Sequence, residues 1–120
     1  MKSLTDVELE IMQVLWELKS GTVRDVYEVL RDRRKIAYTT VLTMMSILEE
    51  KGHVRRWKQG RAFVYASSRP PQKVIASMVD EFVARVFKGS ARPLVLGLAK
   101  DRKLTREDLA EIERILKEQA

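Results

Sequence analysis

The 120-residue sequence predicts a mainly α chain carrying one small β-hairpin. Three observations lead there. Apolar side chains recur at helical spacing from Val7 to Leu48. The period drops to two between His53 and Ala66. Helical spacing resumes after the break Ser67-Ser68-Arg69-Pro70-Pro71. A change of period along a chain marks a change of secondary structure, because helix and strand expose one face every 3.6 and every 2 residues.

The first helix opens on Thr5 and Glu8, spaced as a capping box in which each side chain satisfies the other's backbone N–H. Val7, Ile11, Met12, Val14, Leu15 and Leu18 form its buried stripe, and Gly21 is read as its left-handed stop. Thr22 caps a second helix with Val23, Val26, Tyr27 and Leu30 inward. After a short link, Tyr38-Thr39-Thr40 opens a third helix with hydroxyls available as caps. Val41, Met44, Met45 and Leu48 form its inward face, and Lys51-Gly52 ends it. Residues 53–58 and 61–66 read as strands joined at Gln59-Gly60, since glycine supplies the positive φ of a two-residue turn. Phe63 and Tyr65 share one face and Val64 takes the other. Trp57, Phe63 and Tyr65 are expected to seal the hairpin against the helices, and Trp16 to lie in the core. His53 reads as a surface or satisfied histidine. Three helices followed by a hairpin in about 60 residues, with a short link between helices 2 and 3, are a winged helix-turn-helix.

Two serines and two prolines then mark a boundary. The expected division is a winged domain over residues 1–69 and a helical region over 70–120. In that region Val74, Ile75, Met78, Val79, Phe82, Val83, Val86 and Phe87 give a broad apolar face, ended by Gly89-Ser90. Leu94, Val95, Leu96 and Leu98 make a shorter helix. Thr105 caps a last one with Leu109, Ile112, Ile115 and Leu116 inward. About 50 residues in three helices bury little core alone. The region is therefore expected to pair with a second copy through Ile75, Met78, Val79, Phe82, Val86, Leu94, Leu98, Leu109, Ile112, Ile115 and Leu116, as a homodimer.

Composition narrows the function. The chain has no Cys and one His, which leaves no thiolate chemistry and no His-cluster metal site. No nucleophile sits beside a base, and no glycine-rich phosphate loop is present, so neither an enzyme nor a cofactor is expected. The apolar runs fall far short of the ~18–20 residues that span a bilayer. Met1-Lys2-Ser3-Leu4 lacks the apolar stretch of a secretory signal. A soluble cytoplasmic protein is expected.

The net charge is +6, and it is unevenly placed. Residues 1–30 carry three basic and six acidic side chains, residues 31–61 nine and three, and residues 62–120 eleven and eight. Lys51–Arg61 holds five basic residues and no acid. In a helix-turn-helix the second helix of the motif enters the major groove. Tyr38, Thr39, Thr40, Leu42, Thr43 and Ser46 are left on the outer or N-terminal surface of helix 3. Their hydroxyls can bond base edges or phosphates, and Leu42 and the threonine methyls can meet a thymine methyl. Arg55, Arg56, Lys58 and Arg61 of the wing, with Arg34 and Lys35 before helix 3, are candidate phosphate ligands. Alternation puts Arg55 and Arg56 on opposite faces, so at most one of them faces DNA. The competing reading is a winged-helix protein-interaction module that binds an acidic partner.

Several blocks carry a family resemblance: Leu4-Thr5-Asp6-Val7-Glu8 with Ile11-Met12-Val14-Leu15-Trp16, Thr22-Val23-Arg24-Asp25-Val26, Ala37-Tyr38-Thr39-Thr40-Val41-Leu42-Thr43, Leu48-Glu49-Glu50-Lys51-Gly52, and Gly60-Arg61-Ala62-Phe63-Val64-Tyr65. In the tail it extends to Phe87-Lys88-Gly89-Ser90 and Leu94-Val95-Leu96. The chain resembles the penicillinase-repressor family of bacterial transcription factors (the BlaI/MecI/CopY group). That resemblance implies a dimeric repressor on inverted-repeat operators of β-lactamase or related genes. It also implies a membrane sensor whose signal leads to cleavage within the dimerisation region, aligned here with Gly97-Leu98. Cleaved members carry an Asn-Phe-like pair at that place. Copper-sensing members carry a Cys-rich tail motif, which this chain lacks. Ile47 stands where an Arg is common.

Overall fold

The computed structural model describes residues 3–120. Its elements are α1 (Asp6–Leu18), α2 (Val23–Leu30), α3 (Tyr38–Glu50), β1 (Val54–Gln59), β2 (Ala62–Ser67), α4 (Pro71–Phe87), α5 (Arg92–Lys100) and α6 (Arg106–Gln119). Two compact units result, the first ending at Ala76 and the second covering Ser77–Ala120. The division falls inside α4 rather than at the Ser-Pro break, so the first turn of α4 and its buried Val74 belong to the first unit.

Local chemistry starts the helices. The Thr5 hydroxyl accepts from Glu8 N–H at 3.3 Å, and Thr5 N–H donates to Glu8 Oε1 at 2.8 Å. Thr22 and Asp25 make the same reciprocal pair at 3.0 and 2.9 Å, and so do Thr105 and Asp108 at 3.0 and 2.8 Å. Glu8 does more than cap. Its carboxylate is buried and receives Lys51 Nζ, from the end of α3, at 2.7 Å. Burial pushes the Glu8 carboxyl up. The Lys51 ammonium and the bonds from Thr5 outweigh it and hold the group below its ordinary range.

The first unit closes over Ile11, Met12, Val14 and Leu15 of α1, Val23, Val26 and Leu30 of α2, Val41, Met45 and Leu48 of α3, and Val54 and Tyr65 of the hairpin. Each such aliphatic side chain contributes about 1.5–3 kcal/mol when fully buried. Trp16 and Met44 are half-buried against this core.

Gly21 departs from expectation. The left-handed residue after α1 is Lys19, at φ 73°, and α1 ends at Leu18. Gly21 instead makes a β-bridge to Tyr65, its N–H donating to Tyr65 O at 3.0 Å and its carbonyl accepting from Tyr65 N–H at 2.8 Å. A Cβ there would lie 3.2 Å from Asp25 Cβ, so the lack of a side chain serves a close approach, not a helix stop. The bridge fastens the hairpin to the α1–α2 corner.

The antiparallel register runs from Val54↔Ser67 to Gln59↔Ala62. The turn is therefore Gly60-Arg61, one residue later than Gln59-Gly60. Gly60, at φ 65°, takes the first central position, where a two-residue turn with one left-handed residue needs glycine. His53 is buried rather than at the surface. Its N–H donates to Leu48 O and its carbonyl accepts from Ser68 N–H, both at 2.9 Å.

The second unit differs in kind. α5 and α6 contain no buried residue. Leu109, Ile115 and Leu116 are exposed rather than inward, and Ile112 is half-buried. The reason is one of supply: short helices in a single copy offer no opposing layer to cover these stripes. α5 and α6 enclose an apolar trough of about 590 Å³ that Val95, Leu96, Leu109 and Ile112 line. Among the described residues, no helix is long and apolar enough to cross a membrane.

Candidate nucleic-acid interface

Helix α3 buries Val41, Met45 and Leu48 and so turns Tyr38, Thr39, Thr40, Leu42, Thr43 and Ser46 outward, all exposed. The N-cap of α3 is Ala37, and no side chain caps it. The hydroxyls of Thr39 and Thr40 are thus not spent as caps at that end. Tyr38 packs edge-on against Tyr27 of α2, with ring centres 5.5 Å apart. The Arg24 guanidinium stands 5.1 Å above the Tyr38 ring and pairs with Glu28 at 3.3 Å. Stacking of this kind holds an exposed arginine in place.

The wing lies beside this helix. Cross-strand pairing puts Arg56, Lys58, Phe63 and Tyr65 on one face of the hairpin. Arg56 lies 4.1 Å above the Phe63 ring and pairs with Glu49 of α3 at 3.1 Å. That pair ties the hairpin face to α3. A shallow groove of about 410 Å³ joins the elements. Tyr38, Leu42 and Ser46 of α3 line it with Arg24 of α2 and with Arg56, Arg61 and Phe63 of the wing.

Alternation allowed one of two arginines on this face, and it is Arg56. Arg55 points to the opposite face, 4.9 Å above the Trp57 ring, and leaves the interface. Arg34 also turns elsewhere: its guanidinium donates to Glu10 of α1 at 2.8 Å. Lys35, Lys58 and Arg61 are exposed, and none of them forms an ion pair among the described residues. Phe63 does not seal the core. At 42% exposure it is part of the groove, whereas Tyr65 is buried as expected. Arg24 is a groove residue that sequence reasoning passed over, and Phe63 one that it assigned to sealing the hairpin. The signal for Arg24 was its place, two residues after the Thr22 cap on the first helix of the motif.

The tail residues Ile75, Val79, Phe82 and Val86 of α4 are exposed, and Met78 is half-buried. Leu94 and Leu98 of α5 are half-buried. Gly97-Leu98 lies within α5, in helical conformation.

Comparison with known proteins agrees with this geometry. A family model described as "Penicillinase repressor" matches residues 4–118. The penicillinase repressor of Bacillus licheniformis is 30% identical over 115 residues, covering 96% of this chain and 90% of that one. The transcriptional regulator BlaI of Mycobacterium tuberculosis is 33% identical over 94 residues, covering 78% and 68%. Among solved structures, the monomeric form of Bacillus licheniformis BlaI in complex with the blaP half-operator superposes with a TM-score of 0.53 at 31% identity. It covers 59% of this chain and 87% of that one.

Proposed function

The chain belongs to the penicillinase repressor family, and on that premise we propose that it is a transcriptional repressor that binds operator DNA as a homodimer. The observation that carries this reading is that Tyr38, Leu42 and Ser46 of α3 share one groove with Arg56 and Arg61 of the cationic wing, next to the exposed Thr39, Thr40 and Thr43. Support also comes from the BlaI structure solved with its half-operator.

In this reading α3 enters the major groove with Tyr38, Thr39 and Thr40 leading, and Thr43 and Ser46 following one turn on. Leu42 offers an apolar contact to a thymine methyl. The wing follows the backbone, with Arg61 and Lys58 taking phosphates and Lys35 a further one. Arg24 and Arg56 face the same duplex, but each arrives half neutralised by a carboxylate. This surface carries no Asn or Gln, so bidentate reading of adenine is absent from it. Phosphate contacts, DNA shape and the spacing of two half-sites supply the remaining affinity and selectivity.

The homodimer follows from the tail. A second copy covers Phe82, Val86, Leu109 and Leu116, which one chain leaves in water. Two winged domains then reach half-sites about 34 Å apart, one helical turn or a multiple of it. Repression is occlusion of the promoter. If a membrane sensor's signal leads to a cut at Gly97-Leu98, α5 must first unwind, since proteases bind extended chain. A cut there would separate the two heads and remove the avidity that holds both half-sites.

Selection of bound duplexes from a random pool tests the reading. The expected product is a palindrome whose half-site spacing is near a whole number of helical turns. A pool with no enriched sequence would refute it.

A further inference from the structure

The hairpin has a second face, away from α3. There a cavity of about 390 Å³ opens between the C-terminal end of α1, the hairpin and the Ser-Pro segment that leads into α4. Lys19, Arg55 and Arg69 stand in its wall, and no carboxylate does. None of these three cations forms an ion pair among the described residues. Elsewhere in the first unit Arg24, Arg31, Arg33, Arg34, Lys51 and Arg56 have carboxylate partners, while Lys35, Lys58 and Arg61, like these three, have none among the described residues. Three like charges brought to one concavity without an acid repel one another and raise the local positive potential.

Two further features meet at the same place. The indole Nε1 of Trp16, a wall residue, is buried and has no hydrogen-bond acceptor among the described residues. A buried donor without an acceptor costs free energy, and in native structures it calls for an explanation. Lys19 itself has φ 73° and ψ −47°, a strained conformation for any residue with a side chain. Such strain persists where the surroundings enforce it, and it gathers at ligand sites. The remaining wall is apolar, from Leu15, Pro70, Pro71 and the Trp16 ring.

We propose that this cavity binds a small organic anion, whose carboxylate or phosphate group meets Lys19, Arg55 and Arg69 and whose apolar body lies against Trp16 and the two prolines. The site is distinct from the groove beside α3, because Arg55 and Arg56 project from opposite faces of β1. It does not rest on the DNA-binding reading, and its binding assay contains no DNA.

The test uses the full-length chain with Trp57→Phe, which leaves Trp16 as the sole tryptophan and keeps a ring beneath Arg55. Phenyl phosphate and phenylacetate are titrated separately at constant ionic strength while Trp16 emission is followed. A saturable change with either probe supports the site, and the tighter probe identifies the anionic group. Arg69→Gln should weaken binding about tenfold, the loss of one charge-assisted hydrogen bond. Lys19→Gly should weaken it similarly while suiting the left-handed backbone, so a folding defect does not confound it. Arg61→Gln, on the other side of the hairpin, should leave the dissociation constant unchanged. Unsaturable emission changes with both probes would overturn the proposal, as would equal weakening by Arg61→Gln. So would a loss of random-duplex affinity in Lys19→Gly and Arg69→Gln as large as their loss of probe binding, because the cations would then serve DNA.

Discussion

Arg61→Ala is the sharpest perturbation of the proposed interface. Arg61 is the second residue of the wing turn, is exposed, and has no ion-pair partner among the described residues. Its guanidinium is therefore free to displace one condensed counterion from a duplex. One phosphate contact contributes about 0.9 to the slope of log affinity against log salt. Over a fourfold rise, from about 50 to about 200 mM, that contact loses about 3.5-fold in its contribution. This corresponds to roughly 0.7 kcal/mol. The ratio of wild-type to Arg61→Ala affinity should therefore shrink by that factor across the range, on operator and random duplex alike. Fluorescence anisotropy of a labelled duplex over a salt series measures it. Arg34→Ala removes the same formal charge, but its guanidinium is bound to Glu10 at 2.8 Å on the α1 side, so its line should run parallel to wild type. Parallel lines for Arg61→Ala would refute the wing contact. An equal change in Arg34→Ala would show that net charge alone governs affinity.

Thr43→Ala should lower the ratio of operator to random affinity by about 0.5–1.5 kcal/mol, the size of one neutral hydrogen bond, with an unchanged salt slope, since it deletes a base contact and no phosphate contact; competition binding with both duplexes checks this. Lys51→Met should destabilise the first unit by about 1–3 kcal/mol near neutral pH, below the ~3–5 kcal/mol of a fully buried pair because Lys51 keeps some water, and chemical denaturation reads the loss. Glu8 titrates below its ordinary value of 4.5 when folded, so its stabilisation is complete above that pH and is lost as pH falls through the folded value. The stability gap between wild type and Glu8→Gln should accordingly narrow from pH 7 to pH 3, and a gap that widens would contradict the Lys51 pairing. Phe82→Glu should convert a dimer into monomers in analytical ultracentrifugation at micromolar concentration, with helical circular dichroism in the first unit retained; a dimer that persists would place the contact elsewhere.

Much of the fold was legible in the sequence because its signals are local. The Thr5–Glu8 box, the Thr22 and Thr105 caps, the change of period at Gly52 and the glycine of the wing turn each act over three or four residues. The exposed row from Tyr38 to Ser46 was readable for the same reason: once Val41, Met45 and Leu48 face inward, helical geometry leaves the others outside. The errors fall where a partner is distant along the chain. Gly21 looked like a helix stop because its bridge to Tyr65 spans 44 positions of sequence that no local pattern connects. The pairing of Arg34 with Glu10, 24 positions away, is likewise invisible to any local pattern.

By itself, then, the sequence determined the helices, the hairpin and the two alternating faces of that hairpin. Only the tertiary structure decided that Arg56 shares a groove with α3, that Arg55 stands with Lys19 and Arg69 behind it, and that Phe63 is exposed. Alternation fixes which residues share a face, because it is a property of the strand's own backbone. Which face meets the helices depends on how the whole unit closes its core, and that choice is made by contacts between segments far apart in the chain.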